Sequence, residues 1–129
     1  MLSQNEIWLR MKRFESFGNQ LPHAKVYYRI DWETVYFDLD GKMFGLMSPK
    51  ADNNTLLTLK GDPEANIIMR ELYNDVIPGY HTNKKHWNSI RLNTTELSDT
   101  EVEKMIKKSY DLVWLNLPQS VKDRLRNGA

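Results

Sequence analysis

Residues 34–47 read TVYFDLDGKMFGLM, two short runs of β-branched and aromatic residues joined by Asp40-Gly41. Such runs are typical of β-strands, and an Asp-Gly pair readily adopts the positive φ angles that a tight hairpin turn needs. The stretch therefore predicts two antiparallel strands, at residues 34–39 and 42–47. Runs of the same character at residues 26–30 and 55–60 predict a further strand on each side of this hairpin.

Helical patterns surround these strands. Ser3 and Glu6 have the spacing of a capping box, and the residues after them repeat apolar side chains at i, i+4 and i+7. The stripe is formed by Ile7, Met11 and Phe14. The sequence therefore predicts a first helix, which we expect to end at Gly18-Asn19. Its outward side is expected to carry three basic residues, Arg10, Lys12 and Arg13.

The second half of the chain predicts three more helices and one more strand. Asp62-Pro63-Glu64 is a typical helix start, in which we expect the Asp62 side chain to accept from free backbone amides. The inner stripe of that helix is expected to contain Ile67, Ile68, Leu72 and Tyr73. Residues 87–92 predict a strand whose facing is ambiguous, because Trp87 and Ile90 fall on opposite sides. A capping box at Ser98 and Glu101 opens a long helix, and Pro118 starts a short final helix that runs through Leu125.

The predicted order is therefore helix, four strands, helix, strand, helix, helix. This order favours an α+β fold in which a twisted, mainly antiparallel sheet has helices packed on one face. No internal repeat, low-complexity tract or Pro/Gly-rich linker interrupts the 129 residues, which predicts a single domain over residues 1–129.

Composition excludes several classes of protein. Eighteen Lys and Arg residues against seventeen Asp and Glu residues leave a formal net charge of +1, so bulk charge provides no argument for binding nucleic acid or membranes. The absence of cysteine excludes disulfides, cysteine-ligated zinc, iron–sulfur clusters and thiol catalysis. No apolar stretch has the length of a membrane span and the amino terminus has no signal-peptide pattern, so we expect a cytoplasmic protein that does not enter membranes.

The most distinctive segment is residues 78–90, PGYHTNKKHWNSI. Its lysines could neutralise phosphates, its amides could hydrogen-bond to a nucleic acid, and its aromatic rings could stack on an unpaired base. The candidate nucleic-acid contacts are Tyr80, His81, Asn83, Lys84, Lys85, Trp87 and Arg91, together with Arg10, Lys12 and Arg13 of the first helix. A structural interpretation stays open, in which Tyr80 and Trp87 anchor an ordered loop and the two lysines are solvated.

Three blocks of this sequence resemble the MmcQ/YjbR family of bacterial proteins. The blocks are GKMFGL at residues 41–46, the segment at residues 78–90, and SYDLV at residues 109–113 before Leu117-Pro118. The resemblance implies a fold similar to that of frataxin and its bacterial counterpart CyaY. The resemblance also implies DNA binding, a function inferred for that family from its fold. We expect such binding to be weak and largely independent of sequence.

Neither metal binding nor catalysis is expected. His81 and His86 are five residues apart, a spacing that places them on opposite sides of a strand and off a common helical face. No nucleophile motif or Gly-rich phosphate loop is present, so we expect a protein that is not an enzyme and has no cofactor. The alternative to DNA binding is a monomeric protein-interaction or small-ligand module, with Trp8, Trp32 and Trp114 as contacts if they are exposed.

Overall fold

A computed structural model describes residues 1–128, over which the chain forms four helices and one six-stranded sheet. The helices are α1 (Gln4–Gln20), α2 (Pro63–Leu72), α3 (Asp99–Leu115) and α4 (Gln119–Arg126). The strands are β1 (Ala24–Arg29), β2 (Thr34–Leu39), β3 (Lys42–Met47), β4 (Leu56–Lys60), β5 (Val76–Pro78) and β6 (Trp87–Arg91). None of the helices within these residues has both the length and the apolar character that crossing a bilayer requires.

The sheet has the strand order β1-β2-β3-β4-β6-β5, and every neighbouring pair is antiparallel. Strands β2 and β3 have the predicted bounds. The turn between them has φ angles of 50° at Asp40 and 84° at Gly41, and the Gly41 amide donates to Asp38 Oδ1 at 2.6 Å. The predicted hairpin is therefore confirmed. The short edge strand β5 follows α2 in the chain and pairs with β6. The sequence analysis does not predict this strand.

Strand pairing assigns side chains to two faces, because successive residues of a strand point to opposite sides. One row of paired residues supplies much of the buried core, and it consists of Val35, Met47, Leu57, Ile90 and Val76. The adjacent row points the other way and consists of Tyr27, Tyr36, Leu46, Thr58, Ser89 and Ile77. We call the side of the sheet that carries this second row the open face.

All four helices pack on the side opposite the open face. Gly18 of α1 lies against Val26 and Phe37, α2 is bonded to Asn88, and α3 places Tyr110 edge-on against Phe44 with ring centroids 5.5 Å apart. Leu125 of α4 belongs to the same buried core. The predicted α+β class, with helices on one face of an antiparallel sheet, is confirmed. Strand β6 accordingly turns Asn88 and Ile90 towards the helices and Ser89 towards the open face.

Helix α1 has the predicted capping box, with the Ser3 and Glu6 side chains each accepting from the other's backbone amide. The expected helix end at Gly18-Asn19 is wrong, because α1 continues to Gln20. Gly18 is buried where the helix meets the sheet, and a Cβ there would lie 2.7 Å from Val26 Cγ2. The Asn19 side chain accepts from the Val26 amide at 2.7 Å on the edge strand β1. These two residues dock the helix on the sheet instead of terminating it.

The expectation that Arg10 faces outward is wrong. Its side chain is buried, with 6% of the residue exposed. The guanidinium donates to Asp99 Oδ1 at 2.6 Å and to three backbone carbonyls, those of Leu92, Thr94 and Leu97. Buried charges are tolerated in proteins when they are paired and hydrogen-bonded in this way. Arg10 therefore fastens α1 to the segment that joins β6 to α3.

The predicted inner stripe of α2 is wrong at three of its four positions, since only Tyr73, at the end of the helix, packs against the core. Ile67, Ile68 and Leu72 are each more than half exposed, whereas Asn66 is buried. The Asn66 side chain donates to the carbonyls of Gly61 and Lys85, and the Asn66 backbone carbonyl accepts from the Asn88 side chain at 3.1 Å. These polar contacts fix which side of the helix faces the sheet. Asp62 makes no capping bond with its side chain, contrary to the expectation, although α2 begins at Pro63 as predicted.

Helix α3 has the predicted capping box at Ser98 and Glu101, and its residues Val102, Ile106 and Val113 are buried in the core. The Ser109 hydroxyl donates to the Phe44 carbonyl and accepts from the Lys60 amide, so it joins α3 to β3 and to the end of β4. Pro118 precedes the short helix α4, as the sequence predicts.

Replacing Arg10 by methionine should destabilise the fold by about 3 kcal/mol, because three buried carbonyls and a carboxylate lose their donor. Arg13→Met is the matched control on the same helix, since Arg13 makes only partly exposed ion pairs. We expect it to change the free energy of unfolding much less. Urea denaturation of both variants measures the difference, and equal effects would contradict the anchoring role of Arg10.

Candidate functional site

The loop of residues 79–86 crosses onto the open face of the sheet. The Gly79 amide donates to the Trp87 carbonyl at 2.9 Å, and the Tyr80 amide donates to Ser89 Oγ at 2.9 Å. Ser89 Oγ in turn lies 2.6 Å from Thr58 Oγ1, and both hydroxyls are buried. Because Ser89 points to the open face, this bond places Tyr80 over that face. Tyr80 remains 58% exposed.

Two of the predicted contact residues hold the loop in shape. Asn83 Oδ1 accepts from the amides of Lys85 and His86, and the Lys84 ammonium donates to the Gly79 carbonyl at 2.9 Å. Gly79 itself is required by close packing, because a Cβ there would lie 2.2 Å from Thr82 Oγ1 and 2.7 Å from Trp87 Cβ. The loop is therefore ordered by its own side chains, as the sequence predicts.

A second aromatic group stands on the same face, in the loop that joins β1 to β2. Trp32 is 51% exposed and packs edge-on against Tyr36, with ring centroids 5.6 Å apart. The Arg29 guanidinium lies 3.9 Å from the Trp32 ring centroid and pairs with Asp31 through two hydrogen bonds of 3.0 Å. Such cation–π contacts hold an exposed indole in place. Trp32 is thus a supported aromatic surface that faces solvent.

Tyr36, which lies beneath Trp32, is an uncharged part of this aromatic surface. Burial raises the pKa of the Tyr36 hydroxyl above its ordinary value, and the negative charge of Asp38 adds to that rise, whereas the Arg29 guanidinium lowers it. The net effect favours the protonated phenol. Tyr36 therefore carries no charge at neutral pH, whereas the Arg29–Asp31 pair and the Glu33 carboxylate place charges beside Trp32.

A groove of about 520 Å³ runs between Trp32 on one side and Tyr80-His81 on the other. Its floor consists of side chains from three neighbouring strands, Thr34, Leu46, Leu56 and Thr58. This volume is within the range of small-molecule sites, and a mostly apolar lining with few polar groups is typical of them. Glu33, Tyr80 and His81 are the ionisable side chains among the lining residues.

Both loops that border the groove contain a residue in the left-handed region. Glu33 has a φ of 50° and His81 a φ of 59°, which residues other than glycine adopt infrequently. The Tyr80 and His81 rings lie 3.9 Å apart between centroids, so the unusual backbone brings the two side chains together. Backbone strain of this kind is concentrated at binding sites and other functional sites.

The basic residues predicted on the first helix do not join this groove. They lie on the helical side, where acids alternate with them: Arg13 pairs with Asp99 and Glu103, and Lys12 pairs with Glu15. Arg10 is buried, and its guanidinium bonds are directed to protein atoms. Arg91 donates to the Asn74 carbonyl and lies 3.8 Å from Asp75. These cations therefore do not form a continuous basic surface with Lys84 and Lys85.

The structure thus separates the predicted contact residues into groups. Tyr80 and His81 line the groove, Lys85 is exposed at the tip of its loop, and Trp87 is half-buried at the base of that loop. Sequence reasoning missed Arg29 and Glu33, and it named Trp32 only as an interaction candidate. The alternation of side chains along β1 and β2 is the signal that could have found Arg29, because it turns Arg29 and Tyr36 to the same face. Within residues 1–128, no group of three or more His, Asp or Glu side chains is arranged to hold a metal ion.

Known proteins resemble this chain in both sequence and structure. The protein YbdF of Escherichia coli O157:H7 is 30% identical over 109 residues, which are 84% of this chain and 88% of YbdF. The protein YjbR of Escherichia coli strain K12 is 26% identical over 98 residues, which are 76% of this chain and 81% of YjbR.

The crystal structure of Deinococcus radiodurans protein DR2400 has a TM-score of 0.80 at 26% identity, and the match covers 89% of this chain and 86% of that one. A crystal structure of a protein from Pseudomonas syringae has a TM-score of 0.66 at 21% identity over 78% of this chain and 96% of that one, which shows likeness of fold alone. A family model described as YjbR matches residues 19–112, a span that includes the whole sheet and every residue of the groove. The chain belongs to the YjbR family.

Proposed function

We propose that this protein binds single-stranded nucleic acid weakly, with unpaired bases held in the groove on the open face. The observation that carries the proposal is the pair of exposed aromatic walls, Trp32 and Tyr80-His81, on opposite sides of an apolar groove. Unpaired bases stack on aromatic side chains that project from a sheet, and each stacked base contributes roughly 1–3 kcal/mol. Stacking also tolerates any base, which agrees with weak and largely sequence-independent binding.

The phosphate contacts in this proposal come from the loop beside the groove. Lys85 is exposed at the loop tip, and Lys84 uses one of its three N–H donors on the Gly79 carbonyl. Arg10, Lys12, Arg13 and Arg91 are left out, because protein carboxylates and carbonyls already engage them. Duplex DNA is a poor fit, since the bases of a duplex are stacked on one another and unavailable to Trp32 and Tyr80.

A second candidate is a peptide or an apolar small molecule in the same groove. It is favoured by the apolar floor at Leu46 and Leu56 and by the carboxylate of Glu33, which repels phosphate but attracts a cationic group. Both candidates are binding functions, and no catalytic step is proposed for either. They differ in whether a lysine outside the groove contributes to binding, which the salt dependence of the Lys85→Glu variant measures.

Trp32→Ala and Tyr80→Ala should each weaken the binding of a fluorescently labelled short oligothymidine at low salt. The loss of one stacked base predicts a dissociation constant roughly tenfold higher, since about 1.4 kcal/mol corresponds to a factor of ten. Trp8→Ala is the control, because Trp8 is a half-exposed tryptophan on α1, away from the open face. Equal weakening by the Trp8 variant, or no salt-sensitive binding at micromolar wild-type protein, would overturn the proposal.

The salt dependence should be shallow. With roughly two phosphates neutralised, a plot of log K against log salt should have a slope of about −1.4, at ~0.7 per phosphate for single strands. Lys85→Glu should make that slope shallower, whereas Arg13→Glu on the helical side should leave it unchanged. A slope of about −3 or steeper would show that cations beyond this loop take part. A slope near zero would instead favour the second candidate.

A further inference from the structure

A second cavity lies on the helical side of the sheet, between α2 and α3. It has a volume of about 230 Å³. Its floor is formed by Leu59 and Asn88, which are paired neighbours on β4 and β6, and its walls include Ala65 and Met69 of α2 and Met105 of α3. This cleft is separated from the groove by the thickness of the sheet. Because Leu59, Ala65, Met69 and Met105 give the cleft a largely apolar surface, it suits the body of a small organic molecule.

One buried polar atom at the floor of the cleft has no hydrogen bond. Asn88 is only 4% exposed, and its Nδ2 donates to the Asn66 carbonyl at 3.1 Å. Its Oδ1, however, accepts no hydrogen bond from any group within residues 1–128. A buried carbonyl without a donor is costly, and native structures retain such groups infrequently. A ligand with an O–H or N–H group at its inner end would supply the missing donor.

The mouth of the cleft is positively charged. Lys104 and Lys108 line it together with one carboxylate, that of Asp62. Lys104 and Lys108 are exposed and lie one turn apart on α3, and the Lys108 ammonium is 3.8 Å from Asp62 Oδ2 across the opening. The Asp62 side chain makes no capping hydrogen bond to α2. An anionic group at this end of a ligand would meet an excess of cations.

We propose that the cleft binds a small aromatic carboxylate that carries a hydroxyl group at the end opposite its carboxylate. The ring would lie between Met69 and Met105, because thioether sulfurs make favourable contacts with aromatic rings. The hydroxyl donates to Asn88 Oδ1, and the carboxylate pairs with Lys104 and Lys108 in place of Asp62. This site shares no lining residue with the groove and does not depend on nucleic-acid binding.

The test uses 4-hydroxybenzoate as the probe, added to the full-length, ¹³C-methyl-labelled protein and followed by NMR. We expect saturable shifts of the methyl resonances of Leu59, Met69 and Met105. Benzoate lacks the inner hydroxyl, and phenol lacks the carboxylate, so each should bind roughly fivefold more weakly, as expected for the loss of one hydrogen bond or one ion pair.

Variants distinguish the mouth of the cleft from general surface charge. Lys104→Glu combined with Lys108→Glu should raise the dissociation constant of 4-hydroxybenzoate at least tenfold. Lys107→Glu is the matched control, because Lys107 is on the same helix, pairs with Asp111 and does not line the cleft. Equal affinity for benzoate and 4-hydroxybenzoate, equal weakening by the control, or shifts confined to residues outside the cleft would each overturn the proposal.

Discussion

The register of the antiparallel sheet is the constraint on which the rest of this structure depends. A slip of one residue in any strand would exchange its two faces, so that buried side chains became exposed. The hairpin turn at Asp40-Gly41 and the register shift between Phe37 and Asp38 fix the pairing of β2 with β3. From that pairing, Phe37 and Met47 face the helices, while Tyr36 and Leu46 face the opposite side. The same register therefore defines both the hydrophobic core and the open face.

The open face acquires a groove because loops at its two ends rise over it. Tyr80 is tied to the sheet by Ser89, whose hydroxyl also contacts Thr58, so a buried polar pair supports one wall. The other wall rests on aromatic packing, since Tyr36 supports Trp32 from below and the Arg29 guanidinium lies against its ring. Each wall is thus positioned by side chains of the sheet itself. A site on such a rigid base needs little reordering when a ligand binds.

Local sequence signals predicted most of the fold, because the interactions behind them lie within a few residues. Both capping boxes, the hairpin and the bounds of β2 and β3 are of this kind. The two largest errors, at Arg10 and on α2, concern contacts between separate segments of the chain. Arg10 is buried because carbonyls beyond residue 91 accept from it, and α2 turns inward through Asn66 because the Gly61 and Lys85 carbonyls accept there. No periodicity in residues 4–20 or 63–72 encodes those distant acceptors.

The candidate site was predicted in part for the same reason. Tyr80 and His81 stood out as an aromatic pair in a polar segment, whereas Trp32 joins them only through the folding of the sheet.

The most direct test of the open face as the binding surface uses the indole N–H resonances of the four tryptophans in ¹⁵N-labelled protein. On titration with a short oligothymidine, the account predicts that the Trp32 resonance shifts while those of Trp8 and Trp114 stay in place. Shifts at Trp8 or Trp114 with an unmoved Trp32 would contradict it.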